Sequence, residues 1–164
     1  MADPEHADKP EDDARHKRRR APLADLAGEK PAAPGWFADA LSEPTEAGTA
    51  DAGDIDIAWK AWGERGAPGL VCVHGGTAHK GWWDAIAPWL ARAGYRVVAP
   101  DLAGMGESGW REGYDMPRHA EDMRIAAAQA GAFDAGAPVM IGHSFGGFVT
   151  ITAAMTYGEA LSGA

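Results

Sequence analysis

The strongest chemical signal in the sequence is Ser144, which sits in the run GHSFG at residues 142–146. An apolar segment precedes the run and a helical pattern follows it directly. Gly142 and Gly146 leave room for a tight strand-to-helix turn that lifts the serine hydroxyl above the carboxyl end of a sheet. The N–H groups at the start of that helix favour developing negative charge. A structural glycine turn with an incidental serine is the alternative, but the flanking strand and helix favour a nucleophile.

A second run, HGG at residues 74–76, follows another apolar segment. In acyl transfer, the attacked carbonyl oxygen becomes an anion, and loss of one preorganised N–H donor typically costs about 100-fold or more in rate. A glycine-rich loop after a central strand can aim a backbone N–H into that space. The second donor would be the N–H of the residue after the nucleophile, Phe145. The HGG run is weak by itself and becomes informative together with the turn around Ser144.

A third run, DLAGMGES at residues 101–108, suits a loop that turns sharply over the edge of a sheet. Asp101 could be a catalytic acid. We favour a structural role, in which its carboxylate accepts hydrogen bonds from nearby backbone N–H groups.

The elements that position these runs alternate along the chain. Short apolar or alternating segments predict strands over residues 55–61, 69–74, 95–99 and 138–142. Helical spacing, Pro88, Asp115 with Pro117, and glycines at the far ends predict helices from near 88 to 94, over 115–130 and over 145–157. Alternating strands and helices predict the α/β class, with a mostly parallel sheet and flanking helices.

In this order and spacing, HGG, DLAGMGES and GHSFGG resemble the α/β-hydrolase superfamily over residues 54–164. The set is similar to the branch of esterases, lipase-like enzymes, C–C bond hydrolases and cofactor-free haloperoxidase-like enzymes. The resemblance implies that Ser144 is the nucleophile and that Gly76 and Phe145 supply the oxyanion N–H groups. Relatives with haloalkane dehalogenase or epoxide hydrolase activity use an aspartate nucleophile, so Ser144 argues against both activities.

A serine nucleophile needs a general base, and in this superfamily the acid and the histidine follow the serine along the chain. Residues 145–164 contain Glu159 and no histidine. We expect His74 to belong to the oxyanion loop, His143 to face away from the nucleophile, and His79 and His119 to have no route to it. The acid and the histidine are therefore expected outside this chain, and strand 138–142 is expected to have an unpaired apolar edge.

The first 50 residues differ from the rest. They are charged and rich in proline, so we expect a flexible segment over residues 1–50 and the amino-terminal half of a hydrolase core over 51–164. A short helix around residues 36–41 could dock on the core. The basic run Lys17–Arg20 could be a nucleic-acid or membrane patch, but its acidic neighbours favour a solvated tail.

Composition limits the possible partners. The net charge of −9 argues against a broad nucleic-acid surface. The apolar stretches are shorter than the roughly 18 residues that span a bilayer, and no signal peptide is visible. Cys72 is the only cysteine, so no disulfide forms within the chain. We expect a cytoplasmic protein that acts on a small-molecule substrate without a cofactor or metal, and the sequence leaves its oligomeric state open.

Two functions remain at this point. The first is a hydrolase that acts on carboxylic esters through an acyl-enzyme at Ser144, with C–C bond hydrolysis as the competing reaction. The second is a non-catalytic half-protein or interaction module. Either Trp82 or Trp83 could form a wall of the acyl pocket, although packing in the core is the alternative, because Trp83 lies on the apolar stripe of the predicted helix.

Overall fold

The computed structural model describes residues 28–164, and residues 35–164 form one compact unit. The basic run Lys17–Arg20 lies outside the described residues. Helix α1 (Gly35–Leu41) and strand β1 (Glu46–Asp51) fall within the segment that we expected to be flexible. The boundary expected at residue 51 is therefore corrected to Gly35. The short helix expected around residues 36–41 is α1.

Strand β1 was missed because its sequence, EAGTAD, has little intrinsic preference for a strand. It forms through antiparallel pairing with strand β2 (Asp56–Trp62), from Glu46 opposite Ala61 to Asp51 opposite Asp56. The indole of Trp59 packs over Gly48, where a Cβ would lie 2.6 Å from the ring. Strand β1 is therefore stabilised by tertiary contacts, because its own residues do not favour a strand.

The other predicted elements are present within a few residues of their expected bounds. The strands are β3 (Gly69–Val73), β4 (Arg96–Pro100) and β5 (Val139–Gly142), and the helices are α2 (Ala87–Arg92), α3 (Met116–Gln129) and α4 (Phe145–Tyr157). Two short 3-10 helices cover Lys80–Trp83 and Gly158–Ala160. Helix α3 begins as predicted, since the Asp115 carboxylate accepts the Arg118 N–H at 2.7 Å. None of the helices that the structure describes is long and apolar enough to cross a membrane.

The strands form one sheet in the order β1-β2-β4-β3-β5. Strand β3 is parallel to both β4 and β5, whereas β2 is antiparallel to β1 and β4. The predicted α/β class is confirmed, and its parallel part consists of β3, β4 and β5. The loops before and after β2 are too short for the crossover that a parallel connection needs, which explains the antiparallel strands.

The sheet is covered on both faces, because successive side chains of a strand point to opposite sides. Val71, Val73 and Val98 pack with helices α3 and α4 in one buried cluster. Leu70, Cys72, Val97 and Ala99 pack with Trp83 and Ala87 in the other. This double burial explains why β3 and β4 are continuous apolar runs rather than alternating ones.

Arg96 is fully buried at the start of β4, and its guanidinium is fully paired. It donates to the carbonyl oxygens of Ala130, at 2.9 and 2.7 Å, and of Gly63, at 2.7 Å. It also donates to both carboxylate oxygens of Glu46 at 2.9 Å. The Arg96 guanidinium lowers the pKa of Glu46 through this hydrogen bonding. Arg96 therefore ties β1 to the centre of the sheet.

The outer edge of β5 is not wholly unpaired, contrary to our expectation. The Met140 N–H donates to the Gly163 carbonyl at 3.0 Å, and the Ser162 N–H donates to the Pro138 carbonyl at 2.9 Å. Val139 and Gly163 form an isolated parallel bridge. Residues 162–163 therefore run beside the beginning of β5 in the direction of a further parallel strand.

Candidate active site

Ser144 lies in the turn between β5 and α4 with φ 53° and ψ −117°, a conformation that side chains with a Cβ rarely adopt. Among the described residues, Thr77 in the loop after β3 is the other non-glycine residue with positive φ, at 60°. Both residues line the same cleft. Backbone strain of this kind costs about 1–3 kcal/mol per residue and clusters at functional sites.

Gly142 and Gly146 make the turn around Ser144 possible through close backbone approach. A Cβ on Gly142 would lie 2.3 Å from the Gly146 carbonyl oxygen. A Cβ on Gly146 would lie 2.4 Å from the carbonyl oxygens of both Val73 and His74. Helix α4 therefore starts in direct contact with the end of β3, and this contact brings Ser144 beside the HGG loop.

The HGG loop packs directly against the turn at Ser144. A Cβ on Gly75 would lie 3.3 Å from the Cβ of Ser144, and one on Gly76 would lie 3.7 Å from the Cβ of Phe145. The N–H groups of Gly76 and Phe145 have no acceptor in the part of the chain that the structure describes, whereas those of Gly146 and Gly147 donate to His143 and Ser144. The structure thus brings the three predicted site residues, Ser144, Gly76 and Phe145, together at one place.

The His74 side chain is fully buried in the core and does not line the cleft. From there it holds the HGG loop in position. Its Nδ1 donates to the Gly75 carbonyl at 2.7 Å, and its Nε2 accepts the Leu102 N–H at 3.0 Å. Because Nε2 accepts a hydrogen bond, the imidazole must be neutral with its proton on Nδ1. This pair of bonds joins the HGG loop to the loop after β4.

Asp101 has the structural surroundings that we favoured over a catalytic role. Its buried carboxylate accepts the backbone N–H groups of Lys80, at 2.5 Å, and of Glu107, at 2.8 Å, and the Lys80 ammonium at 2.7 Å. A Cβ on Gly106 would lie 2.2 Å from the carboxylate, so only glycine fits there. With its oxygens used in this way, Asp101 fastens the DLAGMGES loop to the 3-10 helix that follows the HGG loop.

Ser144 opens into a cleft of about 520 Å³. Its other lining residues are Gly75, Gly76, Thr77, Ala78, His79, Gly81, Trp82 and His143. Of the two tryptophans that could wall the site, Trp82 is 53% exposed and lines the cleft, whereas Trp83 is 7% exposed and packs in the core. The neighbours separate because a 3-10 helix directs consecutive side chains to different sides.

His143 does not face away from the nucleophile as we expected. Its ring lies in the cleft and stacks on Trp82, with the ring centroids 5.0 Å apart and the planes inclined by 23°. His79 also lines the cleft, and its Nδ1 accepts the Gly81 N–H at 3.1 Å. No hydrogen bond joins Ser144 to a histidine or a carboxylate within residues 28–164. The orientation of His143 was predicted wrongly because the strand β5 ends at Gly142. In the turn that follows, side chains no longer alternate between the two faces of the sheet.

Two buried histidines make the stability of the fold depend on pH. Burial lowers the pKa of His74. Burial, with the Arg111 guanidinium, lowers the pKa of His119, which packs against Tyr114 and Phe145. In the unfolded chain both titrate near 6.5. Below that pH the unfolded state binds more protons, so stability is lost as the pH falls.

We expect the free energy of unfolding to decrease between pH 7 and pH 5 by up to about 1.4 kcal/mol per pH unit for each of the two histidines. Urea unfolding at several pH values measures this slope. His119→Phe removes one titrating group, so the slope should be smaller in that variant. A slope that is unchanged in His119→Phe contradicts the assignment to His119.

A mixed sheet whose last parallel strand leads through a strained serine turn into a helix, beside a glycine-rich loop, is the arrangement of α/β-hydrolases. A family model described as "alpha/beta hydrolase fold" matches residues 68–164, more than half of the chain. The chain therefore belongs to the α/β-hydrolase family.

Individual relatives differ in activity. The chain is 38% identical over 95 residues to the bifunctional esterase/perhydrolase DCH of Acinetobacter calcoaceticus. The matched region covers 57% of this chain and 33% of that protein. The same identity and coverage apply to a non-heme chloroperoxidase of Burkholderia pyrrocinia. The crystal structure of epoxide hydrolase A from Mycobacterium thermoresistibile is similar with a TM-score of 0.66 and 29% identity, covering 73% of this chain and 39% of that one. The chain spans about a third of the length of these two curated relatives.

Proposed function

We propose that Ser144 is the nucleophile of a hydrolase that cleaves carboxylic esters through an acyl-enzyme. The observation that carries this proposal is the strained backbone of Ser144, at φ 53°, directly beside the free N–H groups of Gly76 and Phe145. A side chain with a Cβ is held in this conformation only where the surrounding structure enforces it. An exposed serine at that position presents its hydroxyl to the cleft and to the start of α4.

In the reaction, Ser144 Oγ attacks the ester carbonyl carbon while a general base takes the hydroxyl proton. The carbonyl oxygen becomes an anion and accepts hydrogen bonds from the N–H groups of Gly76 and Phe145. The C–O bond to the alcohol then breaks, and the base returns the proton to the departing oxygen. Water repeats the sequence on the acyl-enzyme and releases the acid. We propose that the base and its acid partner come from outside residues 28–164, since no histidine or carboxylate within that range is hydrogen-bonded to Ser144.

The similarity to the esterase/perhydrolase supports an ester substrate, since a relative with esterase activity matches more than half of this chain. The epoxide hydrolase shares the fold, but Ser144 stands where the superfamily resemblance implies an aspartate nucleophile for that chemistry. An oxyanion site next to a serine favours attack on a carbonyl group rather than on an epoxide.

The test is covalent labelling of the intact protein with a fluorophosphonate, followed by mass spectrometry of its peptides. We expect one adduct, on Ser144, because the probe phosphonylates a serine that a base activates, with loss of fluoride. Protein unfolded in urea before labelling is the control and should carry no adduct. An adduct on another serine, or an unlabelled protein that still hydrolyses esters, overturns the proposal.

A further inference from the structure

Trp82 is an aromatic side chain left half-exposed at the wall of the cleft that contains Ser144. Large aromatic side chains gain most from burial, so an indole held at a cleft wall is available to a ligand. The indole is held in place on one side by its stack with His143. The backbone of Trp82 is also fixed, because its N–H donates to the His79 carbonyl at 2.9 Å.

His143 places this aromatic pair next to the reacting group. It immediately precedes Ser144, and its ring lies nearly parallel to the Trp82 indole. Trp82 and His143 therefore form a stack of two rings that begins one residue from Ser144. Gly75, Gly76 and Gly81 also line the cleft, and their lack of side chains leaves room for a flat group.

Within residues 28–164, the lining of the cleft carries no carboxylate, ammonium or guanidinium group. Lys80 lies within the same segment, but its ammonium is bound by Asp101 and Glu107. These two acidic partners hold the pKa of Lys80 above its usual value against the effect of burial. The described lining therefore combines the Trp82 indole, two imidazoles, two hydroxyl groups and backbone, and none of these is an acidic group, a lysine or an arginine.

We propose that the Trp82–His143 pair binds a flat aromatic ring, and that the site therefore prefers neutral esters with such a ring next to the carbonyl group, of the benzoate type. Stacked aromatic pairs contribute beyond simple area burial, and a saturated ring of the same size lacks this contribution. Trp82 determines specificity in this scheme and takes no part in bond making. The ester part rests on the function proposed above, whereas aromatic binding does not.

The kinetic test compares methyl benzoate with methyl cyclohexanecarboxylate, which is similar in size but not flat. We expect Trp82→Ala to lower the kcat/KM preference for the benzoate by about 5-fold, in line with the energy of aromatic stacking. Trp82→Phe should restore most of the preference. Trp89→Ala is the matched control, because Trp89 is similarly exposed but lies on α2 outside the cleft lining. An unchanged preference in Trp82→Ala overturns the proposal.

A binding measurement separates this inference from the proposed reaction. In a Ser144→Ala background, methyl benzoate cannot be hydrolysed through the serine, and its affinity can be measured by NMR titration of the tryptophan indole N–H signals. We expect a shift of the Trp82 signal and a several-fold weaker affinity in Ser144→Ala/Trp82→Ala. Trp82-dependent binding together with a failed labelling experiment would refute only the proposed function. Equal affinity with and without Trp82 refutes the aromatic site.

Discussion

Replacing Ser144 with alanine in the intact protein is expected to lower the rate of ester hydrolysis by about 10⁴-fold or more. Removal of a nucleophile abolishes the acyl-enzyme route, and what survives comes from the oxyanion donors and from binding. The oxyanion donors that we propose at Gly76 and Phe145 are backbone N–H groups, so Ser144→Ala leaves both in place. Initial rates with methyl benzoate measure the effect.

The matched control is Ser162→Ala, since Ser162 is exposed and lies outside the cleft lining. It should retain full activity. Ser144→Gly should be as inactive as Ser144→Ala but more stable, by about 1 kcal/mol, because glycine tolerates φ 53° without strain. Hydrolysis that persists in Ser144→Ala shows that another residue is the nucleophile. Equal stability of the two variants shows that the turn stores no strain.

Replacing Gly146 with alanine is expected to cost about 3 kcal/mol or more of the free energy of unfolding. The new methyl group would lie 2.4 Å from the carbonyl oxygens of Val73 and His74. Both obstacles are backbone atoms in β3 and the HGG loop, so no side-chain rotation relieves the clash. Helix α4 must move away from the strand, which separates Phe145 from Gly76. Urea unfolding measures the loss.

Gly147→Ala tests whether this cost comes from the close contact rather than from helix composition. A Cβ on Gly147 would approach only the Gly142 carbonyl, at 3.7 Å, which is an ordinary contact. Alanine is favoured over glycine inside a helix by about 0.5–1 kcal/mol. We therefore expect Gly147→Ala to be neutral or slightly stabilising. Similar destabilisation by both variants would show that the contact between α4 and β3 is not the cause.

The central part of the fold and the location of the site could be predicted from short stretches of sequence. Strands β3 and β4 are buried on both faces, so their apolar runs identify them without any tertiary information. Gly142 and Gly146 flank Ser144 at the spacing that a strand-to-helix turn needs. The start of α3 is likewise specified by neighbouring residues, the cap Asp115 and Pro117. In each case the residues that determine the structure are neighbours in the chain.

Strand β1 could not be found in this way. Its residues are small or charged, and it exists because Glu46 meets the buried Arg96 and because Gly48 accommodates the ring of Trp59. These partners are distant in sequence. For this reason the start of the core was predicted at residue 51, whereas the compact unit begins at Gly35.

The roles of the aromatic residues in the cleft depended on tertiary structure in the same sense. The helical spacing favoured core packing for Trp83, but it did not assign a place to Trp82. Only the orientation of the 3-10 helix directs Trp82 to the cleft. His143 faces the cleft because the turn at Ser144 breaks the alternation of β5. The sequence by itself determined the α/β class and the position of the strand-to-helix turn at Ser144, since local patterns specify both. The packing of distant segments decided what surrounds Ser144, because such contacts leave no pattern in neighbouring residues.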